Sequence, residues 1–179
     1  MLIKPGKDWQ WNFCHTKNRL TLDLGAEMFF VSSFSKKEVV ADALITRAFS
    51  IEQSQDFYNF VERIEQQLSL PEEIIYHIVL NAVAAKTFYK PLMPKSWFFN
   101  PATSVSSTQA GNIVQLMSAF GSRHYLIVES NTKASTLLLI ERSHQLDDRK
   151  ELVQFGLIKV MNDRLMPVRV NKAQAINAA

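Results

Sequence analysis

The sequence predicts an α+β protein in two parts: an N-terminal α/β domain over residues 1–100, a strand meander with two helices, then a C-terminal curled, barrel-like β domain over residues 101–179. Two observations predict it, the change of apolar period along the chain and an aromatic-free stretch between its parts. Apolar residues recur with period two before residue 35, with helical period between residues 50 and 89, and with period two again after residue 112. A stretch free of large aromatics, residues 101–112, lies between the mixed and the all-strand regions and reads as a linker or long loop.

The elements follow in order. Trp9, Trp11 and Phe13 alternate with polar residues, and after a turn over Cys14–Asn18 the pattern resumes at Leu20, Leu22 and Leu24, as in a hairpin with one buried face. Gly25-Ala26 breaks it, and Met28–Ser32 supplies a third, aromatic strand. Ser50-Ile51-Glu52-Gln53 fits a capping box, and Phe57, Phe60, Val61, Ile64 and Leu68 follow at helical spacing. Ser69-Leu70-Pro71-Glu72 reads as a second capping box with proline in the first turn. Behind it Ile74, Ile75, Ile78, Val79, Ala82 and Val83 give a broad apolar face to pack on the meander. Pro91 and Pro94 end this helix near Tyr89, and Trp97-Phe98-Phe99 reads as extended. Four strands are expected at 113–117, 124–129, 135–141 and 152–160, divided by turns at Gly121-Ser122, Asn131-Thr132 and Asp147-Asp148. Short strands at this spacing suggest a small barrel or curled sheet. A turn is expected around residues 160–165, and the polar, alanine-rich end from Asn171 to Ala179 reads as frayed.

Composition narrows the function. With 47% apolar residues and Phe 12, Trp 3 and Tyr 4, the chain can bury enough surface to offset the entropy of ordering. The net charge of +3 is uneven, because residues 1–100 hold 11 basic and 11 acidic side chains and residues 101–179 hold 9 and 6. That surplus falls short of the basic stripe of a nucleic-acid binder, but it favours an acidic protein partner. Cys14, the single cysteine, allows neither an intrachain disulfide nor a cysteine-based zinc site, so a reducing compartment is expected. Met1-Leu2-Ile3-Lys4-Pro5 reaches charge and proline before any apolar run, unlike a signal peptide. The apolar runs 125–128 and 137–140 are strand-sized, far below the ~20 residues of a membrane span. A cytosolic protein is expected.

Catalytic and cofactor signatures are missing. His15, His77, His124 and His144 share no metal-binding spacing, and the five glycines form neither a dinucleotide nor a P-loop fingerprint, so no metal and no cofactor is expected. Glu72-Glu73 complements a helix N-terminus, Asp147-Asp148 sits in a turn, and Cys14 reads as a buried or indifferent thiol beside an aromatic strand in preference to a nucleophile paired with a distant histidine. What stands out is Lys90-Pro91-Leu92-Met93-Pro94-Lys95-Ser96-Trp97, two lysines on a proline-stiffened backbone beside an indole. It reads either as a preorganised docking surface or as a plain connection with solvated lysines.

This segment, together with Trp9-x-Trp11, Leu22-Asp23-Leu24, Phe34 with Lys37, Val79-Leu80-Asn81-Ala82, Val128-Glu129-Ser130 and Met161-Asn162-Asp163-Arg164-Leu165-x-Pro167, resembles the ZapC family of cell-division proteins. The likeness runs along nearly the whole chain and departs from the family pattern mainly at 101–124 and 141–155. It implies a non-enzymatic, cytoplasmic accessory of the mid-cell division ring. Such a protein binds the tubulin-like GTPase FtsZ, promotes side-by-side association of its filaments and lowers its GTPase activity. A monomer that bridges filaments needs two contact surfaces, and two domains of unlike charge suit that. On this reading Leu22, Phe30, Phe34 and Trp97 form an apolar groove for a segment of FtsZ, and Lys90 and Lys95 steer acidic residues toward it. The competing reading of Leu22, Phe30 and Phe34 is ordinary core. Ala178-Ala179 also resembles alanine-ended degradation tags. Two rival classes stay open: a nucleic-acid module on the C-terminal domain with Tyr125 or Phe155 stacking on bases, and an enzyme assembled from distant residues.

Overall fold

A computed structural model describes residues 3–168, so the expectations for the chain's last residues, the frayed end and the alanine tag, lie outside the described part. The N-terminal half is an antiparallel sheet with two helices. Strands β1 (Gln10–Cys14), β2 (Arg19–Asp23), β3 (Phe29–Val31) and β4 (Arg47–Ala48) pair in the order β3-β2-β1-β4. Helices α1 (Ile51–Gln67) and α2 (Glu72–Phe88) follow. The turn between β2 and β3 needs Gly25, whose φ is +77° and whose missing Cβ would meet an Asp8 carboxylate oxygen at 2.5 Å.

Both helix starts had capping signatures, and one forms. At α1 the Ser50 side chain accepts from the Gln53 N–H at 3.1 Å, while the Gln53 side chain accepts from the Ser50 N–H at 2.9 Å. At α2 the box does not form, because Pro71 itself is the N-cap and its carbonyl takes the Ile74 and Ile75 N–H groups, leaving Ser69 outside the first turn. Helix α2 is buried nearly all round, including Ile75, Ile78, Val79, Leu80, Ala82 and Val83, so it has more than the one apolar face its spacing suggested.

The reason is the C-terminal half. Strands β5 (Ile113–Ser118), β6 (Gly121–Ser130), β7 (Ala134–Leu139), β10 (Leu157–Met161) and β11 (Met166–Pro167) form an antiparallel sheet ordered β10-β7-β6-β5-β11, beside a small hairpin of β8 (Ser143–Gln145) and β9 (Glu151–Val153). Residues of β6 alternate between two cores: Leu126 and Val128 join the cluster built on α1 and α2, while Tyr125 and Ile127 join a second cluster with Phe99, Leu146 and Leu165. A sheet buried on both faces explains the uninterrupted apolar runs. The halves are also tied by polar contacts, since the Gln67 side chain accepts from the Ile113 N–H at 2.8 Å and Arg63 reaches the Asn112 side chain at 2.9 Å.

Three local expectations are corrected. The 152–160 run is two strands, because Gly156 closes a turn onto the Val153 carbonyl and Phe155 adopts φ +64°. Phe155 there stacks on His77 of α2, with ring centroids 6.3 Å apart. Residues 96–98 are a 3-10 turn and not an extended segment. Of the small barrel or curled sheet expected for the C-terminal part, the curled sheet is found and closure is not, since among the described residues β10 and β11 stand at opposite ends of the strand order.

A buried polar chain fixes the second core. His144 is buried, its Nε2 donating to the Gly121 carbonyl at 2.9 Å, so its Nδ1 accepts from the Tyr125 hydroxyl at 2.7 Å. Burial pushes the His144 pKa down and that of Tyr125 far up. For Glu141, burial alone would raise the pKa, but hydrogen bonds from His124 overcome it and hold the carboxyl below its usual range. The unfolded chain therefore takes up a proton on His144 before the folded one does. The His144 contribution is present above pH about 6.5 and falls below it by at most about 1.4 kcal/mol per pH unit, the Glu141 contribution is lost below pH about 4.5 as its carboxyl protonates, and the Tyr125 contribution is lost only above the ordinary tyrosine value of about 10. Urea midpoints across pH 4–8 read this, and His144→Gln should flatten the upper limb.

Candidate functional site

Residues 89–100 carry the chain from the helical half onto the C-terminal sheet, and both ends are fastened. The Lys90 N–H donates to the Glu38 carbonyl at 2.8 Å and its Nζ to the Lys37 carbonyl at 2.9 Å. Beyond Pro91 and Pro94, which limit the backbone's freedom, the Lys95 N–H donates to the Lys159 carbonyl at 2.8 Å. The Met161 N–H donates to Ser96 Oγ at 2.8 Å, and Arg164 Nε to the Ser96 carbonyl at 3.3 Å. The 3-10 turn at Ser96–Phe98 then sends Phe99 into the second core, against His144, and turns Trp97 outward. Trp97 is 71% exposed on this anchored backbone.

The charges around it are unbalanced. Trp97 and Phe98 lie with ring centroids 5.5 Å apart, and Lys150 Nζ sits 5.5 Å from the Phe98 centroid. The same Lys150 stands beside Lys95 and holds the Lys95 ammonium below the usual lysine value, with partial burial adding to the effect. Neither lysine has a carboxylate partner among the described residues, whereas Arg164 pairs with Asp163 at 2.9 Å. Two adjacent ammonium groups without a carboxylate among the described residues, beside the exposed Trp97 and the half-buried Phe98, favour any partner that brings a carboxylate and an apolar side chain together.

A second surface lies on the N-terminal half. A groove of about 520 Å³ runs between β3 with the residue before it, which supply Met28, Phe29, Phe30 and Val31, and α2, which supplies Tyr76, His77 and Leu80. Its lining is overwhelmingly apolar, and among the described residues Glu73 is the one acidic side chain in it.

The six residues singled out in the sequence fall into four places. Leu22 is 0% exposed and Phe34 1%, both inside the large core, where Phe34 packs edge-on to Tyr89. Phe30, paired with Leu22 across the ladder, is 6% exposed and lines the groove. Trp97 and Lys95 belong to the surface on the C-terminal sheet, and Lys90 is held at the N-terminal half. Lys150 and Phe98 were not singled out, because Lys150 lies in a region without a recognisable pattern and nothing in the spacing shows that its hairpin folds back over Phe98. Among the described residues no group of three His, Cys, Asp or Glu could hold a metal ion, and no helix is long and apolar enough to cross a membrane.

Comparison with known proteins adds the family. Residues 2–90 match the model for the N-terminal part of cell-division protein ZapC, and residues 91–171 match the model for its C-terminal part. The chain is 37% identical over 175 residues to cell division protein ZapC of Shewanella woodyi, covering 98% of this chain and 97% of that one. It is 38% identical over 180 residues to that of Ferrimonas balearica, covering 100% of both, and 34% identical over 175 residues to that of Aeromonas hydrophila, covering 97% of both.

Proposed function

The chain belongs to the ZapC family of cell-division proteins, and from that premise we propose that it binds FtsZ directly, holds FtsZ filaments side by side at the division ring, and thereby lowers their GTPase activity. The observation that carries this reading is the surface made by Trp97, Phe98, Lys95 and Lys150, where an indole exposed on an anchored turn stands with two ammonium groups, Lys95 leading into that turn and Lys150 from the β8–β9 hairpin, that have no carboxylate partner among the described residues. FtsZ would supply a carboxylate to the lysines and an apolar side chain to the rings, with no catalysis by this chain. Lys90 extends the positive charge toward the N-terminal half and steers the encounter more than it holds the complex.

Bridging by a monomer needs a second contact, and the groove beside β3 is the candidate. Phe30 would meet the partner there, while Leu22 and Phe34 hold its wall in place from behind. A bridging protein that binds assembled filaments more tightly than free subunits shifts FtsZ toward assembly, and slower GTP turnover follows. The nucleic-acid reading loses its stacking residues, because Tyr125 is wholly buried in the second core and Phe155 is engaged with His77.

Charge reversal tests the assignment. Lys95→Asp combined with Lys150→Asp should weaken co-pelleting with FtsZ filaments at least about tenfold at low salt, with the gap narrowing as salt screens the wild-type attraction. Unchanged pelleting at low salt, with the fold intact by circular dichroism, would remove the lysines from the contact.

A further inference from the structure

The groove is bounded by a sheet edge that no strand among the described residues covers. β3 ends the strand order, and its register with β2 pairs Leu22 with Phe30. The Ser32 N–H donates to Leu20 and the Leu24 N–H to the Met28 carbonyl, so Met28, Phe30 and Ser32 turn their backbone groups toward β2. In an antiparallel ladder this bonding alternates, so Phe29 and Val31 point N–H and C=O away from the sheet. Natural edge strands are guarded by charge, proline or a covering segment. Here the edge carries Met28, Phe29 and Val31, all exposed, with Phe29 at 62%. Facing it across the groove is one turn-spaced face of α2: Glu73, Tyr76, His77 and Leu80. The Tyr76 hydroxyl is buried without a hydrogen-bond partner among the described residues.

We infer that this edge captures an extended apolar peptide segment with a basic flank, which adds to β3 as a further strand and lays alternate side chains into the groove. The backbone of Phe29 and Val31 supplies the ladder, the apolar lining takes every second side chain, and Glu73 and the exposed Glu27 beside Met28 favour a lysine or arginine at the segment's end. A second copy of this chain is the poorer occupant. β3 is three residues long, so pairing two edges would bury far less than the roughly 1,000 Å² of a specific interface, and a two-fold contact would set the same acidic rim against itself. The inference rests on the reading of the groove as a contact surface and specifies how that contact is made.

The full chain and a synthetic heptapeptide test it without FtsZ, so failure here is separate from failure of filament binding. The probe is an acetylated, amidated peptide of alternating valine and threonine with lysine at both ends. Three partners are compared with it: the same peptide N-methylated on alternate amides in both phases, a glutamate-ended version, and Val31→Pro. Proline is tolerated on an edge where its N–H would face outward, so Val31→Pro should keep the wild-type melting temperature. The inference expects saturable binding that slows amide exchange at Phe29 and Val31 at least tenfold. N-methylation on the β3-facing amides and Val31→Pro should each weaken binding tenfold or more, and glutamate ends should weaken it too. No binding at about 1 mM peptide, or binding indifferent to N-methylation, would overturn it. If Val31→Pro fails to fold, the N-methylated peptides decide alone on the intact protein. A concentration-dependent dimer that the peptide does not disrupt would overturn the choice of occupant in favour of a second copy.

Discussion

Trp97→Ala should weaken co-pelleting with FtsZ filaments at least about thirtyfold while leaving the urea midpoint within about 0.3 M of wild type. The stability half follows from exposure: a side chain 71% open to water adds little to the core, and surface changes away from special features stay within roughly 0.5 kcal/mol. The binding half follows from what an interface does with such a residue. A tryptophan on a backbone held by hydrogen bonds from Met161 and Arg164 has little freedom left to lose on docking, and its truncation typically costs about 2 kcal/mol or more, at least thirtyfold in affinity. Trp97→Phe, which keeps part of the apolar area, should fall between the two. Undiminished pelleting of Trp97→Ala would place the contact elsewhere.

Leu22→Ala should do the reverse. Leu22 is wholly buried between β2's neighbours and α2's cluster, so its truncation removes buried apolar surface and leaves a cavity, at a cost of about 3 kcal/mol. That corresponds to a fall in urea midpoint of roughly 1.5 M. At low temperature, where the variant remains folded, its filament binding should stay within a few-fold of wild type, because Leu22 shapes the wall behind Phe30 and touches the partner only through it. A Leu22→Ala protein of undiminished stability that no longer binds filaments would make Leu22 a contact residue itself.

The contrast between these residues marks how far the sequence could be read. Periodicity located β1 and β2, and the Ser50–Gln53 box located α1, because those signals are local and the backbone answers them within a few residues. Pro71 defeated the second box by capping α2 itself. The strand β8 escaped notice because Ser143–Gln145 is short and only His144 of it is buried, so it carries no alternation. The two faces of the C-terminal sheet were hidden for the opposite reason, since Tyr125–Val128 is apolar throughout and gives no period from which to tell which core each residue enters. At the site, the stiff lysine and tryptophan segment was legible from Pro91 and Pro94 alone. The pairing of Lys95 with Lys150 was not, because a contact across more than fifty residues is made by folding and leaves no trace in spacing. The assignment of Leu22, Phe30, Phe34 and Trp97 to one groove joined residues that the fold distributes between a core, a groove wall and a separate surface.

The most direct measurement follows the wild-type chain and FtsZ in one tube, with GTP present. After low-speed centrifugation, which collects bundles and leaves single filaments behind, the pellet should contain both proteins in saturating proportion, and phosphate release should fall as the chain is added. Full retention of the folded chain in the supernatant, with FtsZ pelleting and hydrolysis unchanged at every ratio, would contradict direct filament bridging by this protein.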